Sequence, residues 1–120
     1  ILISGGDMRR LGEEAQDRLV ADMADNLDGL SGVTAQSMAD ESRTNAKAFH
    51  MESAAAGLTQ VPLLVLTSDD GLAPNSDELV HAIEAKGGHK ITVIHAATDH
   101  GWSDHRIALE SAILTWLQRF

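Results

Sequence analysis

The stretch VPLLVLTSDDGLAP, residues 61–74, constrains this chain more than any other. Pro62 to Thr67 is an unbroken apolar run of strand length. A strand with one wet face alternates apolar and polar side chains, so a run without alternation predicts a strand covered on both faces, as in a parallel sheet. Ser-Asp-Asp-Gly supplies the turn at its C-terminal end. Residues 76–86 then read as a helix with Leu79, Val80 and Ile83 inward, closed by Gly87-Gly88. KITVIHAA is a second strand. Ser103 caps a final helix whose buried stripe is Ile107, Ile113, Trp116, Leu117 and Phe120.

Upstream, ILIS followed by Gly-Gly-Asp reads as a buried strand ending in a loop. Leu11, Ala15, Leu19, Met23 and Leu27 recur every four residues and predict an amphipathic helix over 12–28, stopped by DGLSGV. Thr34 caps a second helix, 35–50, with Met38, Ala39, Ala46 and Phe49 inward; ESAAAGL extends it or forms a short third one. Strand, helices, strand, helix, strand, helix is an α/β order: a short parallel sheet of about three strands with flanking helices. Ligands of such sheets sit beyond the C-terminal strand ends, where the turns at Asp70 and His100 both fall.

At 120 residues, 43% of them hydrophobic, the chain has the size and composition of one globular domain, residues 1–120. Two Trp and two Phe are its only aromatics, so the core is aliphatic. A formal charge of −9 repels phosphate backbones and excludes nucleic acid as the expected partner. With no cysteine there is no thiolate chemistry, and any metal must be held by imidazole and carboxylate. The apolar runs are far shorter than a membrane span, and the first residues lack the pattern of a signal peptide. A cytoplasmic chain without a membrane partner is the expectation.

PLLVLTSDDGLAP, an amphipathic helix, KITVIHAATDHGWSDHR and a closing helix together resemble the C-terminal part of an α/β-hydrolase of the esterase and acyl-peptidase type. The resemblance implies that Asp70, in DGLAP, is the acid of a catalytic triad and that His100, in DHGW, is its histidine. ILIS then stands for the preceding strand, residues 8–57 for an inserted helical cap, and 58–120 for the C-terminal β-α-β-α unit. Thr67 replaces the glycine usual before the Asp turn. A larger departure concerns the nucleophile. The family's serine sits in G-x-S-x-G on a strained strand-to-helix turn, and no serine here meets that pattern; GLSGV, around Ser31, comes nearest and lacks the second glycine. The strands and loop that would carry the oxyanion hole are missing too, which closes the serine route within one such chain. The truncated sheet is expected to expose an edge and apolar faces, and hence to form a homodimer or higher oligomer.

The remaining groups are ligand types. His95, His100 and His105 lie near Asp69, Asp70, Asp99 and Asp104, a mixed set that suits Zn, Mn or Co, and such an ion lowers the pKa of bound water towards neutrality. The expected metal set is Asp70, Asp99, His100, Asp104 and His105, with Zn or Mn as cofactor, His95 in reserve, and Asp70 and His100 as the catalytic pair. The expected activity is hydrolysis of a small ester by metal-bound water, with phosphoesters favoured. The alternative is an inert or split hydrolase fragment that needs a second chain to bring its serine. Blander readings stand beside these. Asp99 and Asp104 serve a turn and a helix N-terminus equally well, His105 suits a solvated first helical turn, and Asp69 suits a turn. His50, His81 and His89 read as surface residues. Trp102 is either a plug over the core or a wall of the pocket.

Overall fold

In the computed structural model, which describes residues 1–120, the apolar run is the central strand of a three-stranded parallel sheet. Strands β1 (Leu2–Ile3), β2 (Leu63–Ser68) and β3 (Ile91–Ala96) lie in that order, with Leu2 opposite Val65 and Leu63 to Ser68 opposite Ile91 to Ala96. Every residue of β2 is buried, as its lack of alternation requires. The fold is α/β, a small parallel sheet flanked by helices. The helices are α1 (Met8–Glu13), α2 (Gln16–Ala24), α3 (Ala35–Asn45), α4 (Ala55–Leu58), α5 (Ala73–Ala85) and α6 (Arg106–Leu117), with a 3₁₀ turn at Met51–Ala54. None is long and apolar enough to cross a membrane.

The chain forms two compact units: residues 1–6 with 54–120, and residues 7–53. In the first, Leu64 and Leu66 point to one face of β2 and pack with Trp102, Leu109 and Trp116. On α6 the buried stripe is Leu109, Ala112, Ile113 and Trp116, the spacing of one helical face. This corrects the expected stripe. Ile107, 81% exposed, and Phe120, 75% exposed, face water with Leu117, because the helix begins at Arg106 and its phase is set by Trp116 and Leu109 against the sheet. Nor does Ser103 cap it: His105 occupies the cap position, without a side-chain hydrogen bond. Helix α5 starts three residues earlier than expected, with Pro74 in its first turn, where a missing N–H costs nothing. It buries Leu79, Val80 and Ile83 as read, and contacts β2.

In the second unit the expected helix over 12–28 is two helices. Asp7 caps α1 by accepting from the Arg9 N–H at 2.9 Å, and the chain turns extended at Glu14 and Ala15 before α2. Both helices pack on α3, and that tertiary contact outweighs the continuous four-residue spacing. Leu19, Met23 and Ala39 form the core, with Leu11, Val20, Ala35 and Met38 against it. Thr34 caps α3, as its position promised, and makes a capping box with Ser37. Helix α3 stops at Asn45, five residues short of expectation, and Phe49 is exposed.

Candidate functional site

Because the sheet is parallel, the residues after β1, β2 and β3 gather along one edge. The turn after β2 carries Asp70. Its Oδ1 accepts from the Leu72 N–H at 2.9 Å, while Gly71 takes a left-handed conformation, φ +82°, that a side chain would resist. The other oxygen, Oδ2, lies 2.8 Å from His100 Nδ1. The two side chains differ sharply in environment: Asp70 is 6% exposed and His100 67% exposed. Burial pushes the Asp70 carboxyl up. The hydrogen bonds from Leu72, His100, Ser68 and Ser4 outweigh it and hold the group below its ordinary value of 3.8. A carboxylate at Nδ1 fixes the proton there and leaves Nε2 as the basic atom, turned to solvent.

The loop after β3 is fastened at several points. Trp102 is buried in the core, so of its two sequence readings it is the plug. Its backbone N–H donates to the Asp99 carbonyl at 3.0 Å, and its own carbonyl accepts from the His105 backbone N–H at 3.0 Å. Asp99 Oδ1 accepts from the Ser103 N–H at 2.8 Å; bonds from Ser103 are the main reason its carboxyl stays low. Thr98 Oγ1 donates to Asp104 Oδ1, and this bond is the chief cause that lowers the Asp104 carboxyl. His105 Nδ1 approaches the same oxygen at 2.9 Å without the alignment of a hydrogen bond.

Of the residues expected to form a site, the structure thus brings together Asp70 with His100 and Asp104 with His105, and leaves Asp99 on its own loop backbone. His95, at the end of β3, bonds Thr67 Oγ1 at 3.0 Å and Asp69 Oδ1 at 3.1 Å, so Asp69 is more than a turn residue. No three of the His, Asp and Glu side chains stand together as ligands of one ion. Each oxygen of Asp70 accepts a hydrogen bond, Oδ1 from Leu72 and Oδ2 from His100.

Two features escaped the sequence. Ser4 and Ser68 stand behind Asp70, 7% and 1% exposed, their hydroxyls 3.1 Å apart. Ser4 holds φ +43°, a strained value for a non-glycine residue, at the point where β1 turns away. Only the Gly-Gly that follows it hints at such a turn. In the other unit, His50 is not a surface residue as read: its Nδ1 lies 2.7 Å from Asp7 Oδ2 and its Nε2 3.3 Å from Glu52. Burial raises the Asp7 carboxyl, and the bonds from Arg9 and His50 lower it further than that. Forty-three positions separate Asp7 from His50, and no local pattern links them. Comparison with protein-family models, with curated proteins and with solved structures finds no match for this chain.

Proposed function

We propose that the Asp70–His100 pair is the acid–base half of an ester-hydrolysing site. The observation that carries this reading is the pairing of a buried, ionised carboxylate with His100 Nδ1 at 2.8 Å while the Nε2 side of the ring is open. In that arrangement Nε2 takes a proton from an attacking hydroxyl, Asp70 stabilises the imidazolium, and the proton then passes to the leaving alkoxide. Ser4 and Ser68, the hydroxyls nearest to Asp70, are too buried to meet a substrate. The nucleophile is therefore water acting on an activated ester, or a serine that another chain brings to Nε2. A Zn- or Mn-bound water is the other form of the same hydrolytic reading. It requires Asp99, Asp104 or His105 to leave their loop partners and converge with His100 on one ion.

Hydrolysis of p-nitrophenyl acetate and p-nitrophenyl phosphate by the whole chain, with and without a chelator, separates these routes. The expected result is turnover of the carboxyl ester that survives the chelator and falls at least about tenfold in His100→Ala, the low end of what a positioned base contributes. Chelator-sensitive turnover restored by Zn or Mn establishes metal-bound water instead. A rate unchanged in His100→Ala removes His100 from any site and ends the proposal.

A further inference from the structure

The opposite end of the sheet holds a different chemistry. Pro62 precedes β2, Lys90 precedes β3, and Trp116 to Phe120 close α6; between them lies a cleft of about 300 Å³. It is roughly a strand's length, on the order of 15–20 Å, from the Asp70–His100 end. Its apolar lining is Pro62, Ile91, Trp116 and the exposed Phe120, with the two aromatic rings edge to face at 5.0 Å. His89, Lys90 and Arg119 also line it, and no acidic side chain does.

Eighteen acids outnumber nine lysines and arginines, and Arg9 and Arg18 each pair with an acid. The Lys90 and Arg119 side chains make neither an ion pair nor a hydrogen bond, and the His89 ring is likewise without a partner. Two cations without acidic side-chain partners, lining one cleft with two aromatic rings, offer charge to an anion and apolar area to whatever the anion is attached to. The volume lies at the small end of ligand pockets and suits one fused ring system.

We propose that this cleft binds a small aryl carboxylate, its ring against Trp116 and Phe120 and its charge between Lys90 and Arg119. The guanidinium is planar and receives a carboxylate in two parallel bonds, while Lys90 adds a point charge from the strand end. The site is independent of the Asp70–His100 pair and stands whether or not that pair is catalytic.

The test is a titration of the ¹⁵N-labelled whole chain with 2-naphthoate, followed by amide and indole resonances. Expected are saturable shifts at the Trp116 indole, at residues 90–92 and at 119–120, with the Trp102 indole unmoved. Lys90→Gln and Arg119→Gln each weaken binding at least about fivefold, the scale of one charge-assisted bond, and added salt weakens it further. Both substitutions are on exposed side chains, so the fold survives them. Three controls oppose the proposal: 2-naphthalenemethanol binding as tightly means that the charge is irrelevant, phosphate or acetate binding as tightly means that the ring is irrelevant, and absent or unsaturable shifts mean that there is no site. Retention of full affinity in the double variant overturns it as well.

Discussion

At Trp102 glycine should be tolerated better than alanine, the reverse of the usual order. The residue holds φ +54° with a side chain 2% exposed, packed with Leu64, Leu66, Leu109 and Trp116. Removing the indole costs about 3–5 kcal/mol, the range for a large aromatic truncated in a core. Part of that loss returns, because the indole N–H is buried without a partner and leaving such a donor unpaired costs about 1–3 kcal/mol. Alanine and glycine share both of these effects and differ in backbone. A left-handed conformation costs a non-glycine residue about 1–2 kcal/mol, whereas glycine gives up about 0.5–1 kcal/mol of stability through the freedom of its unfolded chain. The difference leaves Trp102→Gly more stable than Trp102→Ala by roughly 0.5–1 kcal/mol. Urea unfolding followed by circular dichroism measures it as a shift in midpoint at constant slope. Trp102→Phe, which keeps a ring in the core and discards the unpaired N–H, should lose less than either. An alanine variant as stable as the glycine variant would refute the claim that the backbone at 102 is held against its preference by the packing of its side chain.

Acid should weaken the chain through Asp7 and Asp70. Both carboxyls are held below the ordinary 3.8, so their contribution to stability is complete above that value and drains away as pH falls through the folded-state values. Asp70→Asn should be less stable than the parent at pH 7 and approach it at pH 2–3; a constant difference across that range would mean that the charge is not what Asp70 contributes. Gly88→Ala should destabilise, because a Cβ there meets the Ile83 Cγ2, and also the Ile83 carbonyl and Thr59 Cα, each at 3.1 Å. Two of these are backbone atoms that cannot step aside, which places the loss at about 1–3 kcal/mol in a thermal melt.

The parts of this molecule legible in its sequence are those where one physical rule acts alone. Continuous apolar residues from 63 to 66 meant burial on both faces, and β2 is buried throughout. Thr34 meant a cap, and it caps α3, with Ser37 completing a capping box that was not read from the sequence. Asp70 and His100 fell at adjacent strand ends, and they meet. Legibility fails where two rules compete. On α6 apolar residues occupy nearly every side, so periodicity alone did not choose a face; the choice fell to Trp116 and Leu109 against the sheet. In the first helices a regular four-residue spacing ran on past Glu14, but packing of α1 and α2 on α3 was worth more than one unbroken helix. Asp99, Asp104 and His105 are ligand types at close spacing, and local partners compete for them: Asp99 takes the Ser103 N–H, Asp104 takes the Thr98 hydroxyl and His105 stands beside Asp104. Asp70 and His100 meet because neighbouring parallel strands put their C-terminal turns side by side, with His100 held in the loop that Trp102 fastens. The same logic explains the invisibility of Ser4 and Ser68. Their role depends on strands 64 positions apart coming into register, and nothing local to either serine encodes that.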